Sequence, residues 1–164
     1  MTSFTPSELR FTRTERVTMG NPAAEVLVEQ ADAMGASRVF LLASKTLRQE
    51  TDEIAKIENA LGDRHAATFS GIASHAPRTD VLAATNAARD ARADLIVSIG
   101  GGSVTDAAKI VALLLKHDVR SIEDFEPLRT YVTEEGAVVN PPVRLPTKTV
   151  SQSVAGAHRR KMLS

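Results

Sequence analysis

The sequence contains no cysteine and no tryptophan, and aromatic residues make up only 4% of it. The lack of cysteine excludes a disulfide scaffold, a thiolate metal site and a cysteine nucleophile. A core with so few rings has to be built from alanine, valine, leucine and isoleucine, within a hydrophobic content of 43%. This composition is typical of helix-rich or α/β proteins, and 164 residues suit a single domain.

An excess of charge of either sign is also absent, because 20 basic residues balance 20 acidic ones. Nucleic-acid binders usually carry a basic face, so no nucleic-acid partner is expected. The longest uninterrupted apolar run, Ile110 to Leu115, has six residues and is too short to cross a bilayer. Residues 1–20 lack the apolar core of a secretory signal. We therefore expect a cytoplasmic protein without a membrane partner.

Short apolar segments alternate with amphipathic segments along the first 117 residues. The apolar segments predict strands at residues 16–20, 37–44, 66–71 and 94–100. The amphipathic segments predict helices at residues 22–34, 46–62, 79–93 and 103–117. This alternation indicates right-handed βαβ units, so we predict an α/β fold with a Rossmann-like parallel sheet and flanking helices.

The pattern changes after His117. Residues 118–128 predict a capped turn or short helix, and residues 131–147 predict loop and short strand. Residues 148–164 show no period and end in basic residues, so we expect a divergent, disordered tail there. The domain is accordingly predicted to span residues 1–147.

Three consecutive glycines, Gly100 to Gly102, separate the fourth predicted strand from its helix. Ligands of open parallel sheets bind at the carboxyl ends of strands, where glycine lets the backbone approach them. The next helix would offer unpaired N–H groups and its positive dipole end to a phosphate, and Ser103 would add a hydroxyl donor. A tight turn followed by a capping box of Ser103 and Asp106 is the alternative.

The segment IGGGSVTDAAKIVAL resembles the GGGSxxDxAK signature of the iron-containing, or group III, alcohol dehydrogenases. That family includes maleylacetate reductases and glycerol dehydrogenases. The segments GASRVFLLASKTL, ARADLIVSIGGGS and PPVRLPT follow in the family's order, so the resemblance covers roughly residues 16–147. It implies that residues 1–147 form a dinucleotide-binding domain.

The resemblance also implies a set of cofactor-binding residues. The pyrophosphate of NAD or NADP would be held by Gly100, Gly101, Gly102 and Ser103. Asp106 and Lys109 occupy the acid and lysine positions that the family has near its cofactor; alternatively they are a capping acid and a solvated lysine. Thr147 matches the first threonine of the family's Pro-Thr-Thr turn, whereas Lys148 stands where the second belongs.

Ser44 bears on the choice between NAD and NADP. Family members selective for NAD often carry aspartate in a TDxxL turn after the second strand, and the matching stretch here is ASKTL, with Ser44 at the aspartate position. Replacing that negative charge and adding Lys45 lowers the electrostatic cost of a 2′-phosphate, so we expect the site to tolerate NADP or to prefer it. The alternative is a turn serine beside a solvent-facing lysine.

The family's metal site, for iron or zinc, belongs to a helical C-terminal domain that we expect this chain to lack, because the pattern breaks after Thr147. The four histidines, at 65, 75, 117 and 158, are not spaced as a replacement metal site, and no catalytic residue is predicted. His75 lies in the segment SHAP, which faintly resembles a His-x-Pro of maleylacetate reductases.

The resemblance therefore implies the NAD(P)-binding part of a metal-dependent oxidoreductase. That enzyme would transfer hydride between nicotinamide and an alcohol, an aldehyde or a maleylacetate-type substrate, and this chain would be incomplete as a catalyst on its own. Its expected partners are a nicotinamide dinucleotide and a metal-binding domain or second chain. Whether the protein forms an oligomer is left open by the sequence. The alternatives are a non-catalytic nucleotide-binding module or a truncated remnant.

Overall fold

The computed structural model describes residues 7–9, 17–128, 131–132, 138–139 and 149–152. Its strands are β1 (Ser7–Leu9), β2 (Val17–Met19), β3 (Val39–Ala43), β4 (His65–Phe69), β5 (Leu95–Ile99), β6 (Tyr131–Val132), β7 (Val138–Val139) and β8 (Thr149–Gln152). Its helices are α1 (Ala23–Ala33), α2 (Lys45–Glu50), α3 (Glu53–Leu61), α4 (Arg78–Asp90) and α5 (Gly102–Lys116), with short 3-10 helices at Gly62–Arg64 and Glu123–Leu128.

Four of the strands form one parallel sheet, in the order β4-β3-β5-β8. The strands β1 and β2 pair separately as an antiparallel hairpin, and so do β6 and β7. The sheet and its flanking helices confirm the predicted α/β, Rossmann-like fold. Among the described helices, none combines the length and the apolarity needed to cross a bilayer.

The two central strands, β3 and β5, are buried along their whole length. Alternate side chains enter two separate cores: Val39 and Leu41 pack with α1 and α3, whereas Phe40 and Leu42 pack with α4 and α5. Continuous apolar sequences such as VFLLA are expected of strands that helices cover on both faces. Each fully buried leucine contributes about 1.5–3 kcal/mol, so these two strands are the stable centre of the fold.

The connections of β3 and β5 leave the sheet in opposite directions. From β3 the chain passes through α2 and α3, on one face, to β4. From β5 it enters α5, on the other face, and continues to β8 on the opposite side. The carboxyl ends of these two neighbouring strands are therefore the switch point of the sheet, where a crevice opens between diverging connections.

The predicted helix over residues 46–62 is wrong in one respect, because it is two helices that break at Thr51. Thr51 has an extended backbone (φ −137°, ψ 165°), and its hydroxyl donates to the carbonyl of Leu47 at 2.6 Å. The same carbonyl also accepts the N–H of Thr51 at 3.2 Å, so the hydroxyl competes with the backbone at the end of the helix. Asp52 is the N-cap of α3 and pairs with Lys56 at 3.0 Å.

The start of the predicted tail also needs correction. Residues 149–152 form β8, which pairs in parallel with all but the first residue of β5, so the boundary at residue 147 falls before the last strand of the sheet. A strand that covers the open edge of β5 satisfies backbone groups that the sequence pattern does not reveal. The predicted disorder of residues 153–164 lies outside the described residues.

Asp94 joins the amino ends of β3 and β5. Its carboxylate accepts hydrogen bonds from the N–H of Ser37 at 2.8 Å, from the Ser37 hydroxyl at 2.7 Å and from the N–H of Arg38 at 2.9 Å. Burial raises the pKa of Asp94, but the hydrogen bonds from Ser37 and Arg38 outweigh it and hold the pKa below its ordinary value. The ionised carboxylate therefore stabilises the native state.

We expect Asp94→Asn to lower the free energy of unfolding at pH 7 by about 1–2 kcal/mol, since hydrogen bonds to a charged acceptor are lost and solvent screens part of the effect. Because the folded pKa is lowered, this stabilisation is present above the unfolded pKa and disappears as the pH falls through the folded pKa. Urea unfolding between pH 7 and pH 2 would show the difference between the two proteins shrinking in acid.

Asp63→Asn is the matched control, because Asp63 is exposed and its carboxylate takes no part in the hydrogen bonds of this junction. It should change the free energy of unfolding by no more than about 0.5 kcal/mol. A difference between wild type and Asp94→Asn that stays constant down to pH 2 would contradict the assigned role of the carboxylate.

Candidate functional site

Gly100 follows β5 directly and is required by the fold itself. Its φ is +150°, a conformation that side chains rarely adopt. A Cβ at this position would lie 2.9 Å from Ser44 Cβ and 3.3 Å from Val104 Cγ2. Gly100 therefore lets the carboxyl ends of β3 and β5 and the start of α5 come together.

Gly101 and Gly102 are different, because neither packing nor backbone conformation explains them. A Cβ at either position would meet no atom of the described residues within 4 Å. Gly101 has φ −85° and ψ −172°, which any residue can adopt, and Gly102 is the first residue of α5. Both glycines are exposed. Their lack of side chains leaves open space directly above the backbone of the turn.

The first turn of α5 faces that open space. Its first intrahelical donors are the N–H groups of Val104 and Thr105, which bond to the carbonyl of Gly101 at 3.1 Å each. The N–H groups of Gly102 and Ser103 precede these donors and are unpaired within the helix, at the positive end of a dipole 15 residues long. Gly101 is the N-cap and no side chain of the described residues caps the helix, so the alternative of a capping box with Ser103 as N-cap is wrong.

Ser103 is held from the side by the loop that follows β4. The N–H of His75 donates to Ser103 Oγ at 3.3 Å. His75 and Ala76 both have left-handed backbones, with φ of 64° and 47°. The hydroxyl hydrogen of Ser103 stays available for another acceptor, because a serine oxygen can accept and donate at once.

Ser44 lies beside the glycine turn at the end of β3. Its N–H donates to the carbonyl of Ile99 at 2.8 Å, which brings the two strand ends into register. It is the N-cap of α2 without a side-chain capping bond, and the next residue, Lys45, is exposed. The structure therefore brings Ser44, Gly100 and Ser103 to one edge of the sheet, as their positions in the sequence predict.

Asp106 and Lys109 lie on α5, about one and two turns beyond the glycines. Lys109 Nζ is 3.0 Å from Asp106 Oδ1, and both side chains are more than half exposed. The two side chains therefore pair with each other in solvent, and Asp106 makes no capping hydrogen bond at the start of α5. Their place near a cofactor stays a prediction. Thr147 lies outside the described residues.

Sequence reasoning did not foresee two features of this region. One is the contact of His75: the sequence singled this residue out only for the resemblance of the segment SHAP, and its backbone rather than its imidazole contacts Ser103. The other is Ser98, whose hydroxyl is fully buried and has no hydrogen-bond partner among the described residues. The buried hydroxyl of Thr85, in contrast, donates to the carbonyl of Val81 at 2.7 Å. A serine inside the apolar strand LIVSI was the available signal for Ser98.

A surface groove of about 330 Å³ lies next to this loop. It is lined by His75, Ala76, Arg78, Val81, Asp106, Ile110 and Phe125. The Arg78 guanidinium sits over the Phe125 ring, 5.9 Å from its centroid. Within the described part of the chain, no group of three histidine, cysteine, aspartate or glutamate residues is placed to hold a metal ion.

A parallel sheet with helices on both faces and a glycine turn at its switch point defines a Rossmann-like α/β domain. Comparison with known proteins places this domain in a family. The family model of iron-containing alcohol dehydrogenases matches residues 14–151, and the chain belongs to that family. The resemblance seen in the glycine-containing segment is thereby confirmed.

Individual relatives match only a part of their own length. Maleylacetate reductase 2 of Cupriavidus pinatubonensis is 36% identical over 107 residues, which are 65% of this chain and 28% of that protein. The crystal structure of maleylacetate reductase from Agrobacterium tumefaciens is similar with a TM-score of 0.54 and 26% identity, over 79% of this chain and 38% of that one. Sulfoacetaldehyde reductase from Bifidobacterium kashiwanohense, solved in complex with NAD+, has a TM-score of 0.61 and 19% identity, over 81% and 43%; its likeness shows the fold alone.

Proposed function

We propose that this chain is the NAD(P)-binding part of an oxidoreductase that transfers hydride between a nicotinamide and an alcohol, an aldehyde or a maleylacetate-type substrate. The observation that carries the proposal is the open space above Gly101 and Gly102, which the protein's own packing leaves unexplained. Membership in the iron-containing alcohol dehydrogenase family supports it, and so does the NAD+ complex of a protein with the same fold.

The pyrophosphate fits the first turn of α5. Two negatively charged phosphates need N–H donors and positive potential, which the turn at Gly102 and Ser103 offers. The bare glycine backbone lets them approach, and the Ser103 hydroxyl adds one donor. Asp106 and Lys109 stand farther along the same helix and pair with each other, so in this proposal they tune the local field rather than contact the phosphates.

The adenosine end of the cofactor is assigned to the side of Ser44, because β3 is the neighbour of β5 on which dinucleotide ribose contacts fall. No acidic side chain occupies the end of β3, where one would accept from a ribose 2′-hydroxyl. Lys45 is exposed there, and Arg48 stands one turn later, 3.5 Å from Glu58. Glu58 offsets the charge of Arg48, so the exposed Lys45 and the absence of an acid at Ser44 favour a 2′-phosphate, and we propose NADP as the better ligand.

The hydride chemistry requires more than the residues described. A metal ion of the kind for which the family is named would polarise the substrate oxygen; its ligands are not among the described residues. The chain spans 28% of the length of the curated reductase, so substrate and metal contacts are assigned to the portion that it does not match. Such a portion would be a continuation of this polypeptide or a second chain.

The direct test is a titration with NADPH and NADH, followed by nucleotide fluorescence and by the melting temperature. A ligand that binds only the native state raises the melting temperature, by an amount that grows with its concentration over Kd. We expect a rise with both nucleotides and the larger one with NADPH. If neither nucleotide shifts the melting temperature at millimolar concentration, the proposal fails and a purely structural glycine turn remains.

The cofactor preference is tested by charge reversal at Lys45. Lys45→Glu should weaken NADPH binding about five- to tenfold and change NADH binding much less, because only NADPH carries the 2′-phosphate. Ser44→Asp should act in the same direction. Arg92 is exposed and precedes β5, at the end of the strands opposite to the proposed site. Arg92→Glu makes the same charge change there and should leave both affinities unchanged. Equal losses for the two nucleotides in Lys45→Glu would contradict the assignment.

A further inference from the structure

We infer that the loop of residues 72–77 is a preset latch, in which the backbone of His75 positions the Ser103 hydroxyl for the bound nucleotide. This inference rests on the proposed nucleotide site and adds a positioning residue to it. The direct contact is the hydrogen bond from the His75 N–H to Ser103 Oγ, 3.3 Å long, between residues 28 apart in the chain.

The contact joins the loop after β4 to the first turn of α5. These elements follow strands that are not neighbours in the sheet, because β3 lies between β4 and β5. Ile72 and Ala76 of the loop pack against the core that α4 and α5 form on one face of the sheet. Asp80, in the first turn of α4, accepts from the N–H of Ala73 at 3.0 Å and anchors the far side of the loop.

Two consecutive residues of the loop adopt the left-handed conformation without being glycine. His75 has φ 64° and Ala76 has φ 47°, and the N–H of Ala76 bonds to the carbonyl of Ala73 at 3.1 Å. Such backbones persist only when surrounding contacts hold them, and they concentrate at functional sites. Arg92 and Asp118 share this conformation, but each directly follows the last turn of a helix, where it is commonplace.

The contact determines what the Ser103 hydroxyl can do. One lone pair of Oγ is occupied by the His75 N–H, so the hydroxyl hydrogen is left for an acceptor on the open side of the turn. The acceptor of the proposed function is a phosphate oxygen. A hydroxyl that is oriented before binding loses less rotational freedom when the ligand arrives, which favours affinity.

The test uses a substitution that is incompatible with the loop conformation. Ala76→Val places a β-branched residue at φ 47°, which such residues strongly avoid, whereas Ala76→Gly accepts this φ freely. We expect Ala76→Val to weaken NADPH binding about five- to tenfold and Ala76→Gly to change it less than about twofold. Arg92→Val imposes the same conflict far from the site and should leave binding unchanged.

Ser103→Ala removes the acceptor and keeps the backbone. It should also weaken NADPH binding. The double variant Ala76→Val/Ser103→Ala should bind NADPH as tightly as whichever single variant has the lower affinity, because both substitutions act through one contact. Losses that add in full, or an Ala76→Val protein with wild-type affinity, would overturn the latch. Melting temperatures measured alongside separate these effects from unfolding.

Amide hydrogen exchange tests the latch without any nucleotide. The His75 amide should exchange slowly in the wild type and at least about tenfold faster in Ser103→Ala, since its acceptor is gone. An unchanged rate would overturn the inference by itself. A wild type that binds no nucleotide, yet shows the protected His75 amide, would refute the proposed function and leave the preset contact standing.

Discussion

Replacing Gly102 with alanine should weaken nucleotide binding about 10- to 100-fold while making the apoprotein more stable. The two effects have opposite signs because they come from different surroundings. Among the described residues, a Cβ at Gly102 meets nothing within 4 Å, and alanine suits a helix better than glycine does, by about 0.5–1 kcal/mol. In the complex, the same methyl group would occupy the space that the proposed pyrophosphate needs, which should cost about 1–3 kcal/mol of binding free energy.

The measurement pairs urea unfolding of the apoprotein with NADPH titration of the same variant. Gly101→Ala should lose affinity to a similar extent, but it should not become more stable, since alanine is a poorer N-cap than glycine. Gly35→Ala provides the control, because Gly35 follows α1 and lies 65 or more residues before the glycine turn. It should leave the affinity for NADPH unchanged. Wild-type affinity in both Gly101→Ala and Gly102→Ala would contradict the placement of the pyrophosphate.

Gly100→Ala should lower the free energy of unfolding by about 2–4 kcal/mol, the largest loss of stability expected of any glycine in the turn. Two causes add at this position. The backbone has φ +150°, which a side chain strains, and the new Cβ would come within 2.9 Å of Ser44 Cβ and 3.3 Å of Val104 Cγ2. Since these neighbours belong to β3's end and to α5, relieving the contact means separating them.

Gly35→Ala and Gly62→Ala separate the two causes. Both glycines have positive φ, +61° and +54°, and a Cβ at either would meet nothing within 4 Å. Each should therefore lose only the conformational term, which is about 1–2 kcal/mol for Gly35 and larger for Gly62, whose ψ of −129° is accessible almost only to glycine. Urea unfolding of the three variants gives the comparison directly. If Gly100→Ala is no less stable than Gly35→Ala, the close contact with Ser44 does not constrain the turn.

Taken together, the glycine variants distinguish two roles within one triplet. Gly100 serves the fold, because its conformation and its neighbours exclude a side chain. Gly101 and Gly102 are proposed to serve a ligand, because nothing in the described structure excludes one from them. In the sequence the three glycines cannot be told apart. Only the neighbouring atoms of Ser44 and Val104 show that Gly100 has a structural role and leave the other two as the proposed binding pair.

The sequence by itself determined the class of fold and the position of the glycine turn between a strand and a helix. Apolar strands alternating with amphipathic helices imply parallel βαβ units, and the central strands with their two cores follow that expectation. It also located Ser44 and the glycines at strand ends, since a strand-to-helix junction can be read from local pattern. These properties are local in the chain, which is why periodicity and composition reveal them.

The tertiary structure decided what depends on contacts between distant residues. The break at Thr51, the addition of β8 to the sheet and the hydrogen bond from His75 to Ser103 each rest on a partner or a backbone angle that periodicity does not encode. The buried Ser98 hydroxyl, which has no partner in the part of the chain that the structure describes, appears only once both sheet faces are covered. Long-range packing sets these features, because side-chain pattern specifies which face is buried but not which atoms meet there.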